Sequence, residues 1–232
     1  MNYVVINGVS SQYMRGLLIQ ELPSISKPKM RTSIEEIDGK DGDVITELGY
    51  SSYDKTVKVG LFGDYDIDAI IEYFNTEGTI IFSNEPDKFY YFKTLDEIDF
   101  ERLIRFRTAE IKIHVQPFKY STIDGILTAQ GNDESVNVTN RGNTYSRPII
   151  TIKGSGLITI SLNGTAIFKI SMPDSGNIVI DTEQLEAYND NGYQNRRVIG
   201  DYSKFILQHG KNVIAWDGNV TEISVNKYSR WI

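Results

Sequence analysis

The chain contains no cysteine. Disulfides and thiolate metal sites are therefore excluded, and stability has to come from buried apolar surface and sheet hydrogen bonds. Histidine is nearly absent as well, with His114 and His209 the only two. His114 alternates with isoleucines along residues 111–115, which puts it on the face opposite the apolar one, and His209 precedes Gly210 in a turn-like stretch. Ser-His-Asp chemistry needs three groups converging in space, and so few histidines leave it little to build on.

Positive charge is also scarce: 24 Lys and Arg against 31 Asp and Glu leave a formal net charge of −7. Affinity for nucleic acid comes largely from phosphate neutralisation, so this balance argues against stable nucleic-acid binding. Arg102, Arg105 and Arg107 do gather, but Asp96, Glu97, Asp99, Glu101 and Glu110 flank them, and the stretch reads as a solvated mixed-charge face. No apolar run approaches the ~20 residues that cross a bilayer, so no membrane partner is expected. The opening MNYVVINGVSS lacks the basic segment and apolar core of a secretory leader, and the expectation is assembly in a cytoplasm.

Ligand motifs are missing too. Asp38, Asp41 and Asp43 lack the acidic spacing of a calcium loop, and Gly49 stands where its bidentate glutamate would be, so they read as turn residues. Gly154-x-Gly156 has no third glycine three residues on and opens no helix, which removes a dinucleotide site. Paired carboxylates for glycosidic hydrolysis carry no information in a chain with 31 acids. No catalytic, cofactor-binding or metal residue is assigned, and no cofactor is expected. Trp216 and Trp231 are a candidate sugar-stacking platform, set against a plain core role for Trp216 in the apolar run Val213-Ile214-Ala215-Trp216.

What the chain does have is alternation. At 232 residues and 40% hydrophobic content it suits one large or two smaller β domains. From Arg147 to Asp181, Ile150 and Ile152, then Ile158, Ile160 and Leu162, then Phe168 and Ile170 alternate with polar residues. That period of two predicts strands with one buried face, separated at Gly154-Ser155-Gly156 and at Asn163-Gly164. Asn-Gly is the residue pair a type I′ turn demands. Further strands are predicted at 3–6, 16–22, 29–37, 53–61, 79–82, 89–93 and 111–115, the last ending at Pro117. Others are predicted at 205–207, 212–216 and 221–225, with Asp217-Gly218 as a hairpin turn between the last two. The polar stretch 131–146 is left without structure, and a long hairpin spans residues 29–61. One short helix is predicted over 66–75 from Ile67, Ile70, Ile71 and Phe74, with Asp66 as N-cap and Gly78 past its end. The domain boundary is placed near residue 118, giving domains 1–118 and 119–232.

Taken in order, these features resemble the distal tail proteins of long-tailed bacteriophages and prophages of Gram-positive bacteria. The N-terminal resemblance rests on RTSIEEIDGKDGD (31–43), strand 53–61, helix 66–75 and AEIKIHVQPF (109–118). The C-terminal one rests on PIITIKGSGLITISLNG (148–164), IVIDT (178–182) and GKNVI (210–214). The resemblance implies a mainly β protein, with an N-terminal ring-forming domain and a C-terminal galectin-like β-sandwich (jelly roll). It implies a structural, non-enzymatic role in the virion tail tip: a hexameric ring, alone or stacked, joining the tail tube to a tail-associated hub protein and to receptor-binding or baseplate proteins. By the same analogy the 29–61 hairpin is an arm reaching a neighbouring subunit, with Arg31, Gly39, Asp41, Gly42, Asp43 and Tyr53 as its candidate interface residues. The competing reading is a lectin-like module that recognises host cell-wall polysaccharide.

Overall fold

The apolar positions picked out by alternation become buried sheet faces in a computed structural model that describes residues 1–174 and 176–232. The chain divides into two compact units, Met1–Thr122 with Ile232 and Ile123–Trp231.

Strands of the first unit are β1 (Val4–Ile6), β2 (Val9–Ser10), β3 (Leu17–Glu21), β4 (Met30–Glu36), β5 (Asp43–Tyr50), β6 (Tyr53–Leu61), β7 (Glu77–Phe82), β8 (Lys88–Lys93) and β9 (Thr108–Ser121). Helix α1 (Ile67–Phe74) precedes β7 and helix α2 (Phe100–Phe106) precedes β9. One sheet runs in the order β2-β1-β7-β8-β9-β6-β3, while β4 and β5 pair only with each other. Val57, Val59, Ile80, Phe82, Ile111, Ile113 and Val115 fill the core, and Ile70, Tyr73 and Phe74 from α1 and Leu103 from α2 dock on it. Asp66 caps α1 by accepting from the Ala69 amide at 3.1 Å, as the sequence predicts. The C-cap is Asn75, because Gly78 already lies in β7.

Several expectations need correction here. The 29–61 hairpin does not form: β4 turns back onto β5, and β6 is handed to the main sheet between β9 and β3. Glu36 faces Asp43 across the tight Ile37–Gly42 loop, where Gly39 (φ +81°) and Gly42 (φ +80°) take left-handed conformations. Strand β9 does not end at Pro117. Between the pairs Phe92↔Val115 and Tyr90↔Lys119, the single residue Tyr91 faces three on β9. Pro117 sits inside this bulge, where no ladder N–H is required of it. A second helix, α2, occupies the segment read as a mixed-charge face. Asp99 Oδ1 caps it at 2.8 Å from the Arg102 amide, and Leu103 is fully buried.

The second unit contains β10 (Leu127–Gln130), β11 (Ser135–Asn140), β12 (Ile149–Leu162), β13 (Thr165–Ser171), β14 (Asn177–Asp181), β15 (Glu186–Asn189), β16 (Gly192–Tyr193), β17 (Val198–Gly200) and β18 (Gly210–Asn226). The first half of β12 pairs with β14 and its second half with β13, while β18 follows it along both halves. Two long strands thus pass from one layer to the other, and the layers face each other across Ile150, Ile152, Ile158, Ile160, Phe168, Ile180, Ile214 and Ile223. This is a β-sandwich whose corners are bends in continuous strands. Gly154-Ser155-Gly156 and Asp217-Gly218 are those bends and not turns between strands, and the ladder register slips at both. Asn163-Gly164 is the turn the sequence predicts, with φ of +50° and +83°. The polar 131–146 stretch contains β11, and residues 205–207 contribute only one isolated bridge, Ser146↔Leu207.

Candidate assembly surface

The two-stranded arm of β4 and β5 is the first unit's most exposed element. Seven residues of antiparallel strand reach about 24 Å at roughly 3.4 Å each. Its Met30–Tyr50 sequence carries six acids (Glu35, Glu36, Asp38, Asp41, Asp43, Glu47) against two bases, Arg31 and Lys40. Partners across an antiparallel ladder share a face, so one face presents Glu36 with Asp43, Ile34 with Ile45, and Thr32 with Glu47. Ile34 and Ile45 are each 60% exposed. At the other end the register slips at Arg31, whose guanidinium donates to the Leu48 carbonyl at 2.9 Å, and Gly49 (φ +93°) supplies the bulge geometry.

Side chains from the main sheet anchor the loop that leads into the arm. Lys55 Nζ donates to the Ser24 carbonyl at 2.9 Å, the Tyr53 hydroxyl to that of Ser26 at 3.4 Å, and Asn84 Nδ2 to that of Pro23 at 3.0 Å. The Ser51 amide closes the base by donating to the Lys29 carbonyl at 2.9 Å. Lys55 is 4% exposed and its ammonium lies 5.2–5.9 Å from the ring centroids of Tyr53, Tyr90 and Phe82. Burial holds its pKa down at about 8, with the nearby Glu85 pulling it up and Lys119 pushing it further down. Glu85 accepts from Lys119 Nζ at 2.7 Å in a buried ion pair. Desolvation also raises the phenol pKa of Tyr53, and that of Tyr90 well above its ordinary value.

A second exposed surface lies on α2. Its buried side is Leu103, while Ile104 (44%) and Phe106 (63%) face outward beside Arg102 and Arg105. A cleft of ≈ 560 Å³ is lined by Asp99, Glu101, Arg102, Arg105, Phe106 and Thr108. Among the described residues neither Arg102 nor Arg105 has an ion-pair partner, and the Arg107 guanidinium lies 4.7 Å from the Tyr65 ring.

Of the arm residues named from the sequence, Arg31, Gly39, Asp41, Gly42 and Asp43 lie on the hairpin, and Tyr53 lies at its base on β6. Trp216 belongs to the sandwich core, 8% exposed, with Nε1 donating to the Gly131 carbonyl at 3.2 Å, so it offers no open ring face. Trp231 is partly buried. His114 Nδ1 lies 2.7 Å from Asp54 Oδ1, and His209 contacts the Gly142 carbonyl. No group of His, Asp or Glu that could hold a metal ion occurs among the described residues, and no helix there is long and apolar enough to cross a membrane. The anchoring lysine and the α2 surface were missed in the sequence. The signals that could have found α2 were Asp99 as N-cap and apolar residues at 100, 103 and 104.

Residues 13–115 match the family model described as the phage tail protein RIFT-related domain. No curated protein matches the chain. Among solved structures, the chain is similar to the Dit protein of phage SPP1, described as a paradigm of the hub adsorption apparatus in phages infecting Gram-positive bacteria. The TM-score is 0.70 at 18% identity, covering 98% of this chain and 99% of that one. It is also similar to a chain of the phage P2 baseplate in its activated conformation with Ca, with a TM-score of 0.47 at 11% identity over 99% of each chain. The domain match and the SPP1 Dit fold bear out the resemblance to distal tail proteins.

Proposed function

We propose that this protein is a structural hub of a phage tail tip. The observation that carries the reading is a fold shared with SPP1 Dit across 98% of the chain, with a phage-tail domain match inside the first unit. In this reading the first unit closes a hexameric ring, and the β4–β5 arm extends onto the next subunit. The ring sits on the tail tube, meets the tail-associated hub protein, and carries receptor-binding or baseplate proteins. The protein resides in the virion, is assembled in the host cytoplasm, and transforms no substrate.

The physics of the arm supports this. A two-stranded hairpin is marginally stable alone, and one with exposed isoleucines needs a covering surface. A heterologous contact between one patch and a different patch on the next copy closes into a ring when the rotation allows. The core position of Trp216 favours a scaffold over a lectin-like role, because sugar stacking needs an open ring face. Sedimentation velocity across a wide concentration range tests the proposal: one discrete oligomer is expected, and a monomer at every concentration would contradict it.

A further inference from the structure

The arm's like charges point to the surface that receives it. Glu36 and Asp43 lie directly opposite each other, a cross-strand arrangement that destabilises a hairpin unless a cation neutralises it. Beside them Ile34 and Ile45 form an exposed apolar pair, with Glu47 beyond. On α2, Ile104 and Phe106 are exposed beside Arg102 and Arg105, two guanidiniums with no ion-pair partner among the described residues. Each surface carries an apolar centre edged by charge, and the charges are of opposite sign.

We infer that the α2 face, through Arg102, Arg105 and Phe106, receives the acidic face of the β4–β5 arm from a second copy of this chain. This rests on the ring-forming reading and supplies its contact. Arg102 and Arg105 pair with Glu36 and Asp43, where a planar guanidinium can meet a carboxylate with two parallel hydrogen bonds. Ile34 and Ile45 cover Phe106 in the cleft of ≈ 560 Å³. Asp99 and Glu101 also line this cleft. Asp99 already accepts from the Arg102 amide, and Glu101 sits in the first turn, where the helix dipole favours an acid.

Charge reversal with rescue tests the contact. Three full-length variants are compared with the wild type by sedimentation velocity, with circular dichroism confirming the fold of each. Glu36→Lys with Asp43→Lys reverses the arm, Arg102→Glu with Arg105→Glu reverses the helix, and the third variant carries both reversals. The expected result is association weakened about tenfold or more in each single-surface variant, recovered when both reversals share a chain. An equimolar mixture of the two single-surface variants should also recover assembly, since the arm of each then meets a helix of opposite charge on the other. Wild-type-like assembly of either single-surface variant would overturn this contact while leaving the ring reading in place, as would failure of the doubly reversed chain to recover. A monomeric wild type would remove both.

Discussion

A Cβ built on Gly218 would lie 2.4 Å from the carbonyl oxygen of Leu157. The same corner is closed from the other side, where a Cβ on Gly154 would lie 2.3 Å from the carbonyl oxygen of Asn219. β12 and β18 therefore bend together, backbone against backbone, as they leave one layer of the sandwich for the other. Gly218 also has φ of +107°, a conformation other residues adopt at a cost. Gly218→Val should destabilise the second unit by about 3 kcal/mol or more, measured by chemical denaturation. A loss below about 1 kcal/mol would show that the corner is not held by this close approach.

That corner also shows where sequence reasoning stops. Glycine beside aspartate or serine carries the same local signal whether the chain reverses or merely bends, and only the partner strand decides. Asn163-Gly164 was legible because two consecutive positive φ angles demand that pair. The core was legible for the same local reason: Ile150, Ile152, Ile158 and Ile160 alternate, and all are fully buried. The arm was half legible. Its turn was readable from Asp-Gly, but β5 exposes Ile45 and Leu48 and buries nothing fully, so no alternation marks it. Lys55 was illegible: it is in phase with Val57 and Val59, yet a lysine at such a position reads as reaching out to solvent until the loop over it is known.

Among the described residues, Glu85 is the only carboxylate placed against both Lys119 and Lys55 by ion pairing or charge. Glu85→Ala should cost about 3–5 kcal/mol, because it removes the one carboxylate in direct contact with the buried Lys119 ammonium and the counter-charge nearest Lys55. Replacing the pair together, Glu85→Leu with Lys119→Met, should cost less than Glu85→Ala alone. Urea denaturation of the three chains checks this, and a double variant worse than the single one would contradict it.

Lys55 makes stability depend on pH with a definite sign. Its pKa falls from 10.5 to about 8 on folding, so between those values the unfolded chain binds a proton that the folded chain lacks. Stability should therefore rise with pH through that window. Above about pH 10 the raised phenol pKa values of Tyr53 and Tyr90 act oppositely, as unfolding releases their protons. Between about pH 7.5 and 9.5 the wild type should gain about 1–2 kcal/mol relative to Lys55→Met. Parallel pH profiles for the two proteins would contradict the assignment.

The exposed isoleucines of the arm should matter for assembly and not for folding. Ile34→Ser with Ile45→Ser should change the unfolding free energy by less than about 1 kcal/mol, since neither side chain is buried in the single chain. The same variant should weaken self-association at least about tenfold. Thermal unfolding and sedimentation, run on the same preparation, separate the two effects.

Electron microscopy of the purified wild-type protein tests the central claim most directly, by the symmetry of its class averages. The account predicts closed rings with six-fold symmetry, single or stacked, with density bridging neighbouring subunits where the arms cross. Isolated single-chain particles that persist at high concentration would contradict it.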